Sequence, residues 1–507
     1  MNRVPSHPVL SLEDAKRFEA ELFSGDEQKE WSAMCTAGAA VANAALADFE
    51  EFGKFPSRAG LLVLVGKGHN GGDALIAARR ILDAHADAQA DVWLVFGERE
   101  MRPLAARAYR ELVQSAPARV RLINRAEILQ PAYAVLLDGV FGFQFRPPLA
   151  PEIRDLFGQI NRHAIRFRAA IDLPSGIGDE GALRADFTYA TGSVKTPVLE
   201  ERNRAAVGRR RYLDLGFFDA QDDKPAGLMQ STDRVLTAGV FSEKRRFRDP
   251  LSDKRTYGHV FLLGGSRSYS GAALMSAMAA VRSGAGLVTA FVPETFAPAF
   301  AARVPEVIWV GWPETPSGGL ALEGLHLLRE RLDRANALLI GPGVGREPEV
   351  LALMADVAKL VPVPLVVDAD ALQTSIIEVG TAPRILTPHA GEFARIAGNR
   401  ALRDFAHDTK SVTVLKGPIT QISEGLAVYH SCAGGPVLAR GGSGDILAGL
   451  VAGLLAQKPD DLLAAACGAV AWQGRSADLL ARAHGQVAVQ TTQILDFLAN
   501  ALRNEGP

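Results

Sequence analysis

Hydrophobic positions along this chain fall into two alternating kinds. Short unbroken apolar runs ending in glycine turns predict buried β-strands: LLVLVG (Leu61–Gly66), DVWLVFG (Asp91–Gly97), AVLLDGVFG (Ala134–Gly142) and AAIDLPSG (Ala169–Gly176). Between them, GDALIAARRILDAHA and PLAARAYRELVQSA space their apolar residues as helices do. Strands without alternation, separated by helices, predict a parallel sheet covered on both faces, with its chemistry at the carboxyl ends of the strands. The second half repeats this grammar in other words. HVFLLGGS, GLVTAFVP, ALLIGPGVG, PLVVDADAL, RILTPH and VTVLKGP read as strand then turn, while GAALMSAMAAVRSGAG and ILAGLVAGLLAQ read as small-residue helices able to pack closely on a sheet. Because the turn motifs of the two halves differ, the pattern predicts two doubly wound α/β domains rather than one repeat. The least patterned stretch, GFFDAQDDKPAGLMQSTDR (Gly216–Arg234), predicts a linker with a boundary near residue 225.

Composition adds mainly exclusions. A chain of 507 residues is long enough for two or three domains, and 48% hydrophobic with 22% charged residues is ordinary for a globular protein. A formal net charge of −2 gives no sign of a nucleic-acid or membrane partner. Cys35, Cys432 and Cys467 lie far apart, which argues against a zinc site or disulfide framework and for a reducing cytoplasm. The N-terminus lacks the apolar core of a signal peptide, and Arg282 interrupts the best candidate for a membrane span. These features predict a cytoplasmic enzyme.

In the first half, VGKGHNGGDAL (Val65–Leu75) joins a strand to a helix. Gly66 and Gly68 permit a tight turn, and Gly71 and Gly72 let backbone N–H groups approach a phosphate. The plain alternative is a strand–helix turn capped by Asp73. Two later strand ends bear on the choice: Asp138 closes one, and Asp172 with Ser175 closes the next. Their oxygens could converge with Asn70 on a hard cation, one carboxylate serving as ligand and the other as acid or base. Either aspartate alone also suits a turn.

GKGHNGGDAL, DGVFGFQFRPPL, AIDLPSG and the helix WSAMCTAGAAVANAAL together resemble the NAD(P)H-hydrate epimerase family, the YjeF N-terminal domain. The resemblance implies a Rossmann-like domain over residues 1–225 that interconverts the R and S epimers of hydrated NADH or NADPH with a bound potassium ion. It assigns Asn70, Asp138 and Ser175 to potassium. Substrate falls to His69, Asn70, Gly71, Gly72, Asp73 and Gly139, and Asp172 becomes both a contact to the nicotinamide hydrate and the acid/base. His69 and Ala74 depart from the family's Asn-Asn-Gly-Gly-Asp-Gly, which leaves open a binding module without catalysis.

The second half holds LARGGSGDILAGLVAGLLAQ (Leu438–Gln457), where Asp445 stands in a glycine-rich helix start that suits an anion. An aspartate there is either a helix cap or a base. In phosphoryl transfer to an alcohol, the N–H groups of Gly442–Gly444 would stabilise the phosphate while Asp445 takes the hydroxyl proton. Ser443 would cap equally well, and the glycine run exceeds what a cap needs, so the catalytic role is preferred. Lys416 follows the strand VTVL, where a charge is costly unless it meets an anion or a carboxylate.

This glycine-rich start resembles the ribokinase-like superfamily. The series IGPGVGR, PLVVDADAL, ILTPHAGEFARI, VLKGPIT and GGSGDILAGLVAGLLAQ narrows it to the ADP-dependent NAD(P)H-hydrate dehydratase family, the YjeF C-terminal domain. The resemblance implies a dehydratase domain over residues 226–507 that phosphorylates the S hydrate with ADP and releases NAD(P)H, AMP and phosphate. Lys416, Gly417, Pro418, Ile419, Thr420 and Gly444 would contact the nucleotide, and Ala273, Gly343, His389 and Asp445 the hydrate. Asp368 and Asp370 suit either a metal or water, or turn capping, and magnesium is expected with ADP. His389 alone would read as structural. Gln473 stands in a helix read as packing, where the family commonly carries histidine. The expected partners are hydrated NADH or NADPH, ADP and further copies of the chain as a homo-oligomer. A small-molecule kinase of the ribokinase type is the alternative.

Overall fold

The computed structural model describes residues 4–124, 130–219 and 231–503. They form two compact units. One takes the described residues between 7 and 231 with Arg482–Gly485, and the other those between 232 and 481 and between 486 and 503 with residues 4–6. The expected boundary at residue 225 lies outside the described residues. So does most of the expected linker, whose last residues, Asp233 and Arg234, instead belong to a strand.

The first unit is built on a seven-stranded sheet. Its strands are β1 (Gly60–Val65), β2 (Gln89–Leu94), β3 (Val120–Ile123), β4 (Tyr133–Gly139), β5 (Ile165–Ile171), β6 (Phe187–Thr191) and β7 (Arg209–Leu213). They run parallel in the order β3-β2-β1-β4-β5-β6-β7. The period-2 alternation of side chains divides β1 cleanly. Leu61, Val63 and Val65 pack with α2 (Glu27–Phe49), α3 (His69–Ala84) and α4 (Pro103–Ser115), while Leu62 and Leu64 pack with α5 (Pro151–Arg162). A further helix, α1 (Leu12–Phe23), is capped by the Ser11 side chain and buries Ala15 and Phe18. Strand order reverses between β1 and β4, so the turns leaving their carboxyl ends flank a crevice, the usual ligand position in such sheets.

The second unit follows the same rule with a different edge. Its strands are β8 (Asp233–Leu236), β9 (His259–Leu263), β10 (Leu287–Pro293), β11 (Ile308–Trp312), β12 (Ala337–Ile340), β13 (Leu365–Val367), β14 (Arg384–Leu386), β15 (Val412–Leu415), β16 (Thr420–Ser423) and β17 (Val428–Ser431). The order is β11-β10-β9-β12-β13-β14-β15-β16-β17-β8, reversing between β9 and β12. Val260 and Leu262 face the cluster containing α6 (Ser270–Arg282), α9 (Ser443–Gln457) and α10 (Leu462–His484), and Phe261 and Leu263 face α7 (Pro348–Leu360). The sequence reading missed that β15, β16 and β17 pair antiparallel. The hairpin loop between β15 and β16 is Lys416–Ile419, too short for the crossover that a parallel pair requires. The small-residue helices meet each other: a Cβ on Gly449 of α9 would lie 2.2 Å from the Ser276 carbonyl of α6. Among the described residues no helix is long and apolar enough to cross a membrane.

Candidate functional site

In the first unit the glycine loop ends sooner than the sequence suggests. Gly68 is the N-cap of α3, so His69–Asp73 belong to the helix itself. Asp73 is therefore no cap. It is buried, and its Oδ1 has no hydrogen-bond partner. The Gly72 N–H donates to the Gly68 carbonyl (3.2 Å), so it is spent within the first turn and is not available to an anion. Gly139 is needed for close approach, since a Cβ there would lie 2.4 Å from the Asn70 carbonyl. Ala74 is fully buried in α3 and is not among the residues with positive φ, so the family's glycine at this position is not required here. His69 is half-exposed and reaches Glu30 at 3.4 Å, and burial holds its imidazole below the usual value although Glu30 opposes this.

The predicted cation ligands are drawn together by hydrogen bonds. The Asn70 amide donates to the carbonyls of Phe141 (3.2 Å) and Ile171 (2.9 Å). The Ser175 hydroxyl donates to Asp138 Oδ1 (2.5 Å), and the Ser175 N–H donates to Asp138 Oδ2 (2.8 Å). Burial pushes the Asp138 carboxyl up to about 6 against those hydrogen bonds. The donor set is all oxygen, which suits a hard cation. No group of three or more His, Cys, Asp and Glu side chains fit to hold a metal occurs among the described residues.

Asp172, three residues before Ser175, takes φ +63°, a left-handed backbone that costs a non-glycine residue about 1–3 kcal/mol. Its N–H is fixed by the Tyr189 carbonyl (2.8 Å), and its Oδ1 accepts from Lys195 Nζ at 2.5 Å. Both side chains are buried. The sequence reading passed over Lys195, yet the signal was the one used for Lys416, a charge within an apolar strand segment. Asp172, Asp73, Asn70 and His69 line a narrow pocket of about 60 Å³. Asn70 and His69 also line a cleft of about 590 Å³ bounded by Lys67, Arg102 and the turn after β4.

In the second unit Asp445 lies inside the helix and not at its N-cap. The N-cap of α9 is Gly442 at φ +91°, and Asp445 stands within the first turn, where its carboxylate accepts from its own backbone N–H. Ser443 does not cap either, since its hydroxyl donates to the carbonyls of Leu438 (2.7 Å) and Arg440 (3.0 Å). Burial, reinforced by Asp368 and opposed by Lys416, pushes the Asp445 carboxyl up to about 6. Lys416 Nζ lies 2.9 Å from Asp368 Oδ1, which also accepts from the Thr387 hydroxyl (2.7 Å). Burial would lower Lys416, but Asp368, Glu392 and Asp445 outweigh it and hold the ammonium above its ordinary value. A Cβ on Gly444 would meet Lys416 Nζ at 3.1 Å, so the hairpin loop Lys416–Ile419 and the glycine helix start share one corner.

His389 has the structural role that a lone histidine suggests. It is the N-cap of α8 (Ala390–Ala397), and its Nδ1 accepts from the Gly391 and Glu392 N–H groups. That leaves the proton on Nε2, on an exposed ring. Gly343 is tied to the turn after β9 by the Ser266 hydroxyl, which donates to its carbonyl (2.7 Å). Ala273 is fully buried beneath that turn, with its Cβ 3.3 Å from where one on Gly265 would stand. Asp370 is engaged by Arg346 (2.8 Å). Reading α10 as packing alone undervalues Gln473, whose buried amide donates to the Ser443 carbonyl (2.7 Å) and so anchors the glycine loop. Its signal was a polar residue amid an apolar helix.

Comparison with known proteins agrees with this two-part layout. Residues 260–500 match the family model described as NAD(P)H-hydrate dehydratase, and residues 32–196 the one described as YjeF-related protein N-terminus. The chain is 34% identical to a bifunctional NAD(P)H-hydrate repair enzyme of Moorella thermoacetica, over 88% of this chain and 87% of that one. It is 34% identical to the enzyme of the same name from Gloeobacter violaceus, over 98% of each. Among solved structures, an ADP/ATP-dependent NAD(P)H-hydrate dehydratase from Bacillus subtilis, co-crystallised with ATP and Mg2+, is 29% identical. It covers 52% of this chain and 95% of that one, with a TM-score of 0.44. With relatives of this identity matched from end to end, the chain belongs to the family of bifunctional NAD(P)H-hydrate repair enzymes.

Proposed function

We propose that the chain repairs hydrated NADH and NADPH, with the first unit equilibrating the R and S hydrates and the second dehydrating the S form at the expense of ADP. The observation that carries the reading is Asp445, a carboxyl pushed up to about 6 by burial in the first turn of a glycine helix start beside Lys416. On this reading the terminal phosphoryl group of ADP passes to the ring hydroxyl, Asp445 accepts the hydroxyl proton, and AMP leaves. The phosphate ester then departs with its bonding pair, the neighbouring carbon loses a proton, and the ring double bond returns. Lys416 and the N–H groups at the start of α9 bind the phosphates, with Gly417, Pro418, Ile419 and Thr420 along the hairpin loop and magnesium accompanying the nucleotide. Ala273, Gly343 and His389 shape the hydrate's place.

In the first unit Asp172 is the acid/base, and the helix start His69–Asp73 with Gly139 borders the substrate. Asn70, Asp138 and Ser175 hold potassium, which supplies a fixed positive charge beside the Asp138 carboxylate. We place the protein in the cytoplasm on the strength of three cysteines that form no disulfide. The homo-oligomer also stands as a proposal, although the small-residue faces that suggested it are partly used between α6 and α9.

The test is regeneration of the reduced nicotinamide chromophore from a mixed R and S hydrate. With ADP the whole pool should be converted, faster than uncatalysed epimerisation allows. Turnover only of vitamin alcohols, with ATP as donor, would overturn the reading in favour of a ribokinase-type kinase.

A further inference from the structure

We propose that Glu19 of α1 is a second catalytic residue of the first unit, the acid that protonates the departing hydroxyl while Asp172 serves as base. This rests on the epimerase reading given above. Glu19 lies before the segment that matches the family model, residues 32–196, and no motif pointed to it.

The geometry selects it. Glu19 lines both the narrow pocket that holds Asp172 and the broad cleft outside it, so it stands where the two spaces join. The charged neighbours around it are Lys16 on its own helix, Glu30 on α2, His69 and Asp73 on α3, the pair Asp172 and Lys195, and, lining the broad cleft with it, Lys67, Glu100 and Arg102. Most of these are engaged. Asp172 is paired with Lys195, and Glu30 with His69. Glu19 forms no side-chain hydrogen bond or ion pair among the described residues. Asp73 lines the narrow pocket with a buried oxygen that has no hydrogen-bond partner among the described residues, an independent sign that a polar ligand belongs there. Burial pushes the Glu19 carboxyl up to about 7 although Lys195 opposes it, which leaves it a proton to give near neutrality.

The chemistry needs both. Water adds to a dihydronicotinamide ring with its hydroxyl on the carbon beside the ring nitrogen, because the nitrogen lone pair stabilises positive charge there. Glu19 gives its proton to that hydroxyl. The carbon–oxygen bond breaks with its electron pair leaving on water, and the nitrogen lone pair closes a C=N bond. Water then adds to the opposite face, the pair returns to nitrogen, and Asp172 takes the proton released. One proton has passed from Glu19 to Asp172, and the reverse epimerisation or exchange with solvent restores it.

The experiment follows R/S exchange chromatographically in the full chain without ADP, for wild type, Glu19→Gln and Glu19→Asp, between about pH 5 and 9. Wild-type exchange should fall as pH rises through about 7, where the acid form of Glu19 is lost. Glu19→Gln should be slower by about 10²-fold and lack this fall, and Glu19→Asp should regain part of the rate. A wild-type rate that does not fall above neutrality overturns the assignment whether or not the variants fold. So does Glu19→Gln within about threefold of wild type, Glu19→Gln slowed with the fall intact, or Glu19→Asp as slow as Glu19→Gln. Wild-type exchange no faster than buffer would instead refute the epimerase reading on which the assignment stands.

Discussion

Both units set an aspartate and a lysine at the carboxyl edge of a parallel sheet, and they use the lysine in opposite ways. In the first, Lys195 grips the proposed base itself, 2.5 Å from Asp172, with both side chains buried. In the second, Lys416 grips a neighbour, 2.9 Å from Asp368, and Asp445 has no ion-pair partner among the described residues. A paired buried carboxylate is held in place by its cation. One whose cation is committed elsewhere can take up a proton near neutrality, as a base that receives a hydroxyl proton must. The same residue pair thus holds the proposed base directly in one unit and leaves it without that grip in the other.

The comparison breaks most visibly at Lys195. Replacing it with methionine leaves Asp172 buried and unpaired, which should cost about 3–5 kcal/mol in denaturant unfolding of the full chain and abolish epimer exchange. An unchanged unfolding midpoint would mean that the pair does not hold the first site together. Next comes pH. Asp445 must be deprotonated to act, so dehydration should rise with pH through about 6 and level off above it. Lys416 lowers that value, so Lys416→Met should move the rise to higher pH, and a rise that stays in place would assign it to another group. The smallest effect is expected at Gln473. Gln473→Ala removes the bond to the Ser443 carbonyl and should cost the dehydration rate about fivefold, equivalent to roughly 1 kcal/mol, without moving the pH profile. Full activity would return Gln473 to packing.

The parallel sheets and the places of Asp172, Lys416 and Asp445 were legible in the sequence, because apolar runs ending in glycine turns report buried strands and their carboxyl ends directly. The roles of neighbours were less so. Lys195 and Asp172 are 23 residues apart, and only the pairing of β5 with β6 and the turn after it brings them together. Gln473 and Ser443 meet across two helices, a contact no local pattern encodes. Glu19 sits on an amphipathic helix whose polar positions look solvated from the sequence, yet one of them turns into a pocket. Asp73 and Asp445 both resembled helix caps because spacing alone does not place the N-cap. In the structure a glycine takes that position in each case, Gly68 and Gly442.

The most direct test of the account supplies a mixed R and S hydrate with ADP to Asp172→Asn and Asp445→Asn in the full chain, reading both the regenerated chromophore and the epimer ratio. The account predicts that Asp172→Asn consumes only the S fraction and stalls on the R form. It predicts that Asp445→Asn regenerates nothing yet still equilibrates the epimers. Regeneration by Asp445→Asn at the wild-type rate, or consumption of the whole pool by Asp172→Asn at that rate, would contradict it.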